Sequence, residues 1–240
     1  MYTLEAINLT KKYNTVTALD NLNLAIKPGE VFCILGQNGA GKTTTLNLFL
    51  GFIQPTSGTA NVKGVSISDP STSRKSLAYI PEVVMLYREL SGIENLDYFS
   101  RLAGHRYSTD ELHELLTRAG LQREAHEQRI AGYSKGMRQK VGIAIALGKN
   151  ADAILMDEPT SGLDPKATVE FTAAVKRLAS EGHSVLMATH DIFNAVNCAS
   201  RIGIMVKGSL VHIVEAQKIS AHELQKLYME TIGEEFQPVL

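Results

Sequence analysis

Nine residues, Gly36-Gln37-Asn38-Gly39-Ala40-Gly41-Lys42-Thr43-Thr44, constrain the fold of this chain more than any other segment. They fit the pattern G-x-x-x-x-G-K-[ST] and come directly after the apolar run Val31-Phe32-Cys33-Ile34-Leu35. Residues 44–50 suit a helix. Strand, glycine loop and helix together form the setting in which this pattern wraps a phosphate chain. Glycine has no Cβ, so consecutive backbone N–H groups can turn inward, and the helix N-terminus adds its partial positive charge. In that arrangement Lys42 reaches the β- and γ-phosphates and Thr43 offers its hydroxyl to Mg²⁺. The segment predicts a nucleoside triphosphate site.

At 240 residues the chain can form one large α/β unit, or a core with an inserted lobe, without disulfide or metal staples. A net charge of −1 and no lysine or arginine run longer than two argue against a nucleic-acid partner. Cys33 and Cys198 make no metal spacing and are expected to be buried free thiols. The first five residues do not read as a signal peptide, and the longest apolar stretch, 141–147, is far too short to cross a bilayer. The expectation is a cytoplasmic protein that visits a membrane only through a partner.

Apolar β-rich runs alternate with helical patterns along the chain. Residues 2–9 and 19–26 read as strands joined by a Lys11-Lys12-Tyr13-Asn14 turn and closed by Pro28-Gly29. After the glycine loop and its helix, residues 54–58 make a turn, and short strands follow at 59–62 and 76–80. From about residue 82 to 149 the signal is helical only. Ser91 and Ser108 read as N-caps, the second with Glu111 completing a capping box. Strand signals return at 153–156, 184–188, 202–206 and 210–214, and Asp164-Pro165 opens a helix with a cap and a proline at its first position. The chain therefore reads as one domain. Residues 1–82 and 150–240 form an α/β core, and 83–149 form an all-helical insertion.

A second motif supports the first. Ile154-Leu155-Met156-Asp157-Glu158 is an apolar run ending in two acids, 115 positions after Lys42. A parallel strand buried on both faces reads as a continuous apolar run, and α/β sheets place ligand chemistry at the C-terminal ends of such strands. Asp157 is placed to hold Mg²⁺ and Glu158 to polarise an attacking water. His190, after the run 184–188, is a candidate γ-phosphate donor.

Taken together these residues resemble the ATP-binding cassette (ABC) ATPases, over essentially the whole chain and in that family's order. Tyr133-Ser134-Lys135-Gly136-Met137-Arg138-Gln139 looks like a variant of the family signature L-S-G-G-Q, with Ser134 23 positions before Asp157 and a helix expected over 138–147. Asp157-Glu158 matches the metal-binding and catalytic pair, Ser161-Gly162-Leu163-Asp164 the D-loop, and His190 the switch histidine. Tyr13 stands where the family stacks an aromatic ring on adenine. The resemblance implies a RecA-like phosphate-loop core with an antiparallel β subdomain and a helical signature subdomain, using ATP and Mg²⁺. Two motifs depart from the common pattern. Glu82 stands where the family has its Q-loop glutamine, as a third metal-facing group beside Thr43 and Asp157, and brings an extra negative charge to the phosphates. Lys135 and Met137 replace glycine and glutamine in the signature. Both variants resemble the branch that drives exporters with separate permease subunits.

The resemblance also implies a mechanism needing two copies. The phosphate loop of one protomer faces the signature of the other, so Ser134 and Gly136 touch the γ-phosphate in trans. Every catalytic position is filled, which suits a homodimer, and a heterodimer with a similar chain remains open. The alternative function is a soluble ABC ATPase acting on ribosomes or DNA. Finally, Val83-Val84-Met85-Leu86-Tyr87 is an apolar run at the junction of core and insertion. It either closes the core beneath the insertion or receives a helix from the permease, in the region where the family places that contact.

Overall fold

The computed structural model describes residues 1–233. In chain order the elements are β1 (Leu4–Tyr13), β2 (Val16–Ile26), β3 (Val31–Leu35), α1 (Lys42–Phe49), β4 (Ser57–Val62), β5 (Val65–Ser66), α2 (Pro70–Ser73) and β6 (Leu77–Ile80). There follow α3 (Gly92–Leu102), α4 (Thr109–Arg118), α5 (Lys135–Gly148), β7 (Ala153–Asp157), α6 (Pro165–Ser180), β8 (Ser184–Thr189), α7 (Ile192–Cys198), β9 (Arg201–Val206), β10 (Ser209–Glu215) and α8 (Ala221–Gly233).

These strands form two sheets. An antiparallel sheet runs β2-β1-β4-β5, and a six-stranded sheet runs β10-β9-β3-β8-β7-β6. In the larger sheet β9, β3, β8, β7 and β6 are parallel, with β10 added antiparallel at one edge. Its central strands are buried on both faces, which is why they read as unbroken apolar runs. Val31, Cys33 and Leu35 of β3 join a core shared with the helices. Phe32 and Ile34 point the other way, into a core shared with α1 and the antiparallel sheet. Strands β7 and β8 split their side chains in the same manner: Ile154, Met156, Val185 and Met187 on one side, Leu155, Leu186 and Ala188 on the other. Cys33 and Cys198 are buried free thiols, and burial pushes the Cys198 thiol up to about 12.

Three local expectations change. Lys11, Lys12 and Tyr13 are not a turn: they continue β1, and Tyr13 pairs with Val16 across a two-residue turn in which Asn14 takes φ 51°. Asparagine tolerates that left-handed conformation, so the hairpin closes later than the charged residues suggest. The signature helix starts at Lys135 rather than Arg138, because Ser134 accepts a hydrogen bond from the Met137 N–H and caps it. Ser91 also makes a full capping box with Glu94, by the same S-x-x-E spacing as Ser108 and Glu111, where the expectation is a cap alone.

The run 83–87 alternates. Val84 and Leu86 pack against the helical core, whereas Val83, Met85 and Tyr87 are exposed. Between β6 and β7 the chain forms helices and a single antiparallel bridge of Ser91 with Arg129, and α3 and α4 pack on α5.

Candidate nucleotide site

The loops that leave β3, β7 and β6 at their C-terminal ends converge on one cleft of about 400 Å³. Its lining includes Gln37, Asn38, Gly39, Gly41, Lys42, Thr43 and Thr44 from the loop after β3, with Glu82, Asp157 and Glu158 opposite. Two glycines have clear backbone reasons. Gly41 caps α1 at φ 109°, and a Cβ there would lie 2.7 Å from the Ala18 carbonyl oxygen. A Cβ on Gly36 would lie 2.6 Å from the Met205 carbonyl oxygen. With no side-chain cap on α1, its first N–H groups face the cleft and suit an anion. Gly36 and Ala40 complete the loop; Ala40 faces the neighbouring hollow beside Met205 and Val206.

Lys42 is only 6% exposed. Its ammonium donates to the Gly36 carbonyl at 2.6 Å and the Gln37 carbonyl at 3.2 Å, and stands 3.4 Å from Glu158 Oε1. Thr43 donates its hydroxyl proton to Asp157 Oδ2 at 3.0 Å. Glu158 follows β7 with φ 45°, a left-handed conformation uncommon outside glycine, and this bend turns its carboxylate toward the cleft. Its other oxygen meets His190 Nδ1 at 2.8 Å and the His190 N–H at 3.3 Å. Burial raises the Asp157 carboxyl above the usual carboxylate range, the Thr43 hydrogen bond opposes this, and the Glu158 charge reinforces it.

Whether the donors fit Mg²⁺ rests on their chemistry. Thr43 Oγ1 and Asp157 Oδ2 already lie side by side, and the buried Glu158 Oε1 has no hydrogen-bond partner among the described residues. No ready-made group of three acidic, histidine or cysteine ligands exists among the described residues. That pattern fits a hard cation held by one carboxylate, one hydroxyl, phosphate oxygens and water, which is how Mg²⁺ binds.

The signature lies elsewhere. Ser134 and Gly136 border a separate hollow with Met137, Asp164 and Ala167, and neither lines the phosphate cleft. Tyr13 is also apart, at the tip of the β1–β2 hairpin, 46% exposed, with the Lys11 ammonium 4.9 Å from its ring centre. Of β2, it is Ala18 that lines the cleft.

The structure adds roles that the sequence did not show. Gln139, fully buried, donates to the carbonyls of Pro81 at 3.3 Å and Glu82 at 3.0 Å. Asn194 of α7 donates to Thr160 Oγ1 at 3.2 Å and accepts from Thr172 Oγ1 at 2.9 Å, tying the loop after Glu158 to the helix after His190. These partners lie from 22 to 58 residues away, beyond any local pattern.

Residues 19–161 match the ABC transporter family. The chain belongs to that family. It is 33% identical over 239 residues to the Nod factor export ATP-binding protein I of Cupriavidus metallidurans (strain ATCC 43123 / DSM 2839 / NBRC 102507 / CH34), covering 98% of this chain and 78% of that protein. It is 35% identical over 216 residues to the probable multidrug ABC transporter ATP-binding protein YbhF of Escherichia coli (strain K12), covering 87% of this chain. The match spans only 36% of YbhF, about a third of its length. Among solved structures, the chain is similar to the dimeric post-hydrolysis state of the ATP-binding cassette MJ0796 bound to ADP and Pi. The TM-score is 0.77 at 28% identity, with 89% of this chain and 98% of that chain covered. The cassette therefore has a phosphate-loop α/β core and the ATP-binding and ATP-hydrolysing chemistry of its family.

Proposed function

We propose that this cassette drives an exporter through a separate permease, closing head-to-tail with a second copy around two ATP molecules. The observation that carries the dimer is the split site. The cleft that gathers Lys42, Thr43, Asp157 and Glu158 contains neither Ser134 nor Gly136, which border a different hollow of the same chain. A second copy supplies the missing signature, and one chain carries both halves, so a homodimer suffices. Lys42 and the α1 N-terminus hold the phosphates, while Thr43 and Asp157, with Glu82 beside them, would hold Mg²⁺, which would supply charge neutralisation at the phosphates. Glu158 orients the lytic water, held by His190, which meets the γ-phosphate. Tyr13 offers its ring to the purine, and residues 83–149 act as the signature subdomain.

The exposed apolar side chains Phe52, Met85, Tyr87 and Leu102 are the surface offered to the permease. Phe52 and Leu102 border one groove of about 370 Å³ between core and helices. Among the described residues no helix is long and apolar enough to cross a membrane, so a permease supplies the spanning segments and holds this subunit on the cytoplasmic face. Relatives named for Nod factor export and multidrug transport favour export over action on ribosomes or DNA.

Ser134→Asp tests the split site. Aspartate keeps the N-cap of α5 but sets a negative charge against a partner's γ-phosphate. We expect unchanged ATP affinity in dilute monomer and loss of ATP-dependent dimerisation by light scattering. Reduced affinity in the monomer would place Ser134 in the site of its own chain and refute the reading.

A further inference from the structure

The two departures from the common family pattern meet in space. Lys135, the first residue of α5, places its ammonium 3.6 Å from Glu82 Oε1. It also donates to the Ser161 carbonyl at 2.6 Å, three residues beyond Glu158. One side chain of the helical segment thus grips a wall of the phosphate cleft and the loop behind the water-orienting carboxylate. One turn further along α5, Gln139 holds the Pro81 and Glu82 carbonyls. The backbone of Glu82 is fixed from α5, while its side chain, 52% exposed, has room to change rotamer.

We propose that Lys135 is a positioning residue for hydrolysis, acting through Glu82 and the Ser161 carbonyl. Lys135 neutralises Glu82 and docks the helical segment onto it. A divalent cation offers the carboxylate twice the charge at a distance of about 2.1 Å, well inside the reach of the ammonium. Glu82 then turns to the metal, while the charge-assisted bond to Ser161 persists. The helical segment, carrying Ser134 and Gly136, is released on its cleft side as Mg²⁺ and ATP arrive. The bridge stands on contacts within the chain itself, and only its release rests on the proposed metal role of Glu82.

Spin labels at Glu114→Cys on α4 and Lys75→Cys before β6, both exposed positions, report the distance between the helical segment and the core. The native thiols are buried and take no label. Without nucleotide, Lys135→Met is expected to shift or broaden that distance, and Lys135→Arg to restore it. The parent should show a smaller shift in the same direction with ATP and Mg²⁺, but not with ATP and EDTA. In unlabelled protein, Lys135→Met should lower kcat about two- to five-fold, the scale of a half-exposed pair, with KM for ATP little changed. Adding Glu82→Gln to Lys135→Met should cost less than the product of the two single effects. An unshifted distance in nucleotide-free Lys135→Met overturns the bridge. A parent that responds equally with EDTA overturns the release by metal, and multiplicative kcat losses overturn the shared action of the two residues.

Discussion

In the Glu158→Gln variant the side chain keeps its size and loses its charge, and the structure sets two opposite consequences. Glu158 is the carboxylate at the end of β7 with His190 at 2.8 Å, so under the proposed function losing it removes the group that orients water. Hydrolysis should fall about 10²-fold or more. Binding should move the other way. Lys42 stands 3.4 Å from Glu158 Oε1, and a bound triphosphate would draw that ammonium away. At an effective dielectric constant near 20 the gross attraction is about 5 kcal/mol. Most of it offsets the cost of burying both charges, leaving a net of about 1 kcal/mol, or roughly five-fold in affinity. A fluorescent ATP analogue should therefore bind several-fold tighter to Glu158→Gln while steady-state phosphate release nearly stops. Light scattering should show an ATP-dependent dimer that persists. Normal hydrolysis would assign the water to another group. Slowed hydrolysis with unchanged affinity would show that the Lys42–Glu158 contact does not oppose nucleotide entry.

Asp157→Asn separates stability from function. Burial holds the Asp157 carboxyl above its usual range, so the folded chain binds that proton more tightly than the unfolded chain. This group's contribution is fully present below the unfolded value and lost as pH rises through the folded one. At pH 7 the charge costs the fold, so Asp157→Asn should raise Tm, by about 2–4 °C per kcal/mol recovered, with the gain shrinking toward pH 4, while Mg²⁺-dependent hydrolysis disappears. A lowered Tm at pH 7 would contradict the desolvation account. Met85 is 80% exposed, so Met85→Asp should leave Tm and basal ATPase activity unchanged while the subunit no longer co-sediments with membranes. Retained co-sedimentation would remove Met85 from the docking surface.

Most strands of the larger sheet were legible because each is buried on both faces, and such burial leaves a contiguous apolar run in the sequence. The glycine loop was legible because a phosphate cradle needs glycine where no Cβ fits, as at Gly36 and Gly41. The end of the first hairpin was not: Lys11 and Lys12 look like turn residues, yet they sit in a ladder whose closure is decided by Asn14. The role of 83–87 was also open, because five apolar residues in a row cannot show which of them alternate outward once α5 packs beneath.

By itself the sequence determined the family, the strand–glycine loop–helix order and the acidic pair after a buried strand, since each shows as a short pattern of neighbours along the chain. Only the tertiary structure decided which distant groups meet. It set Lys42 against Glu158, closed Glu82 onto Lys135, buried Gln139 under the Glu82 backbone, and put Ser134 and Gly136 in a hollow apart from the cleft. Such contacts join residues tens of positions apart. They depend on the order in which parallel strands assemble and on how one helix seats against their ends, and neither leaves a local mark in the chain.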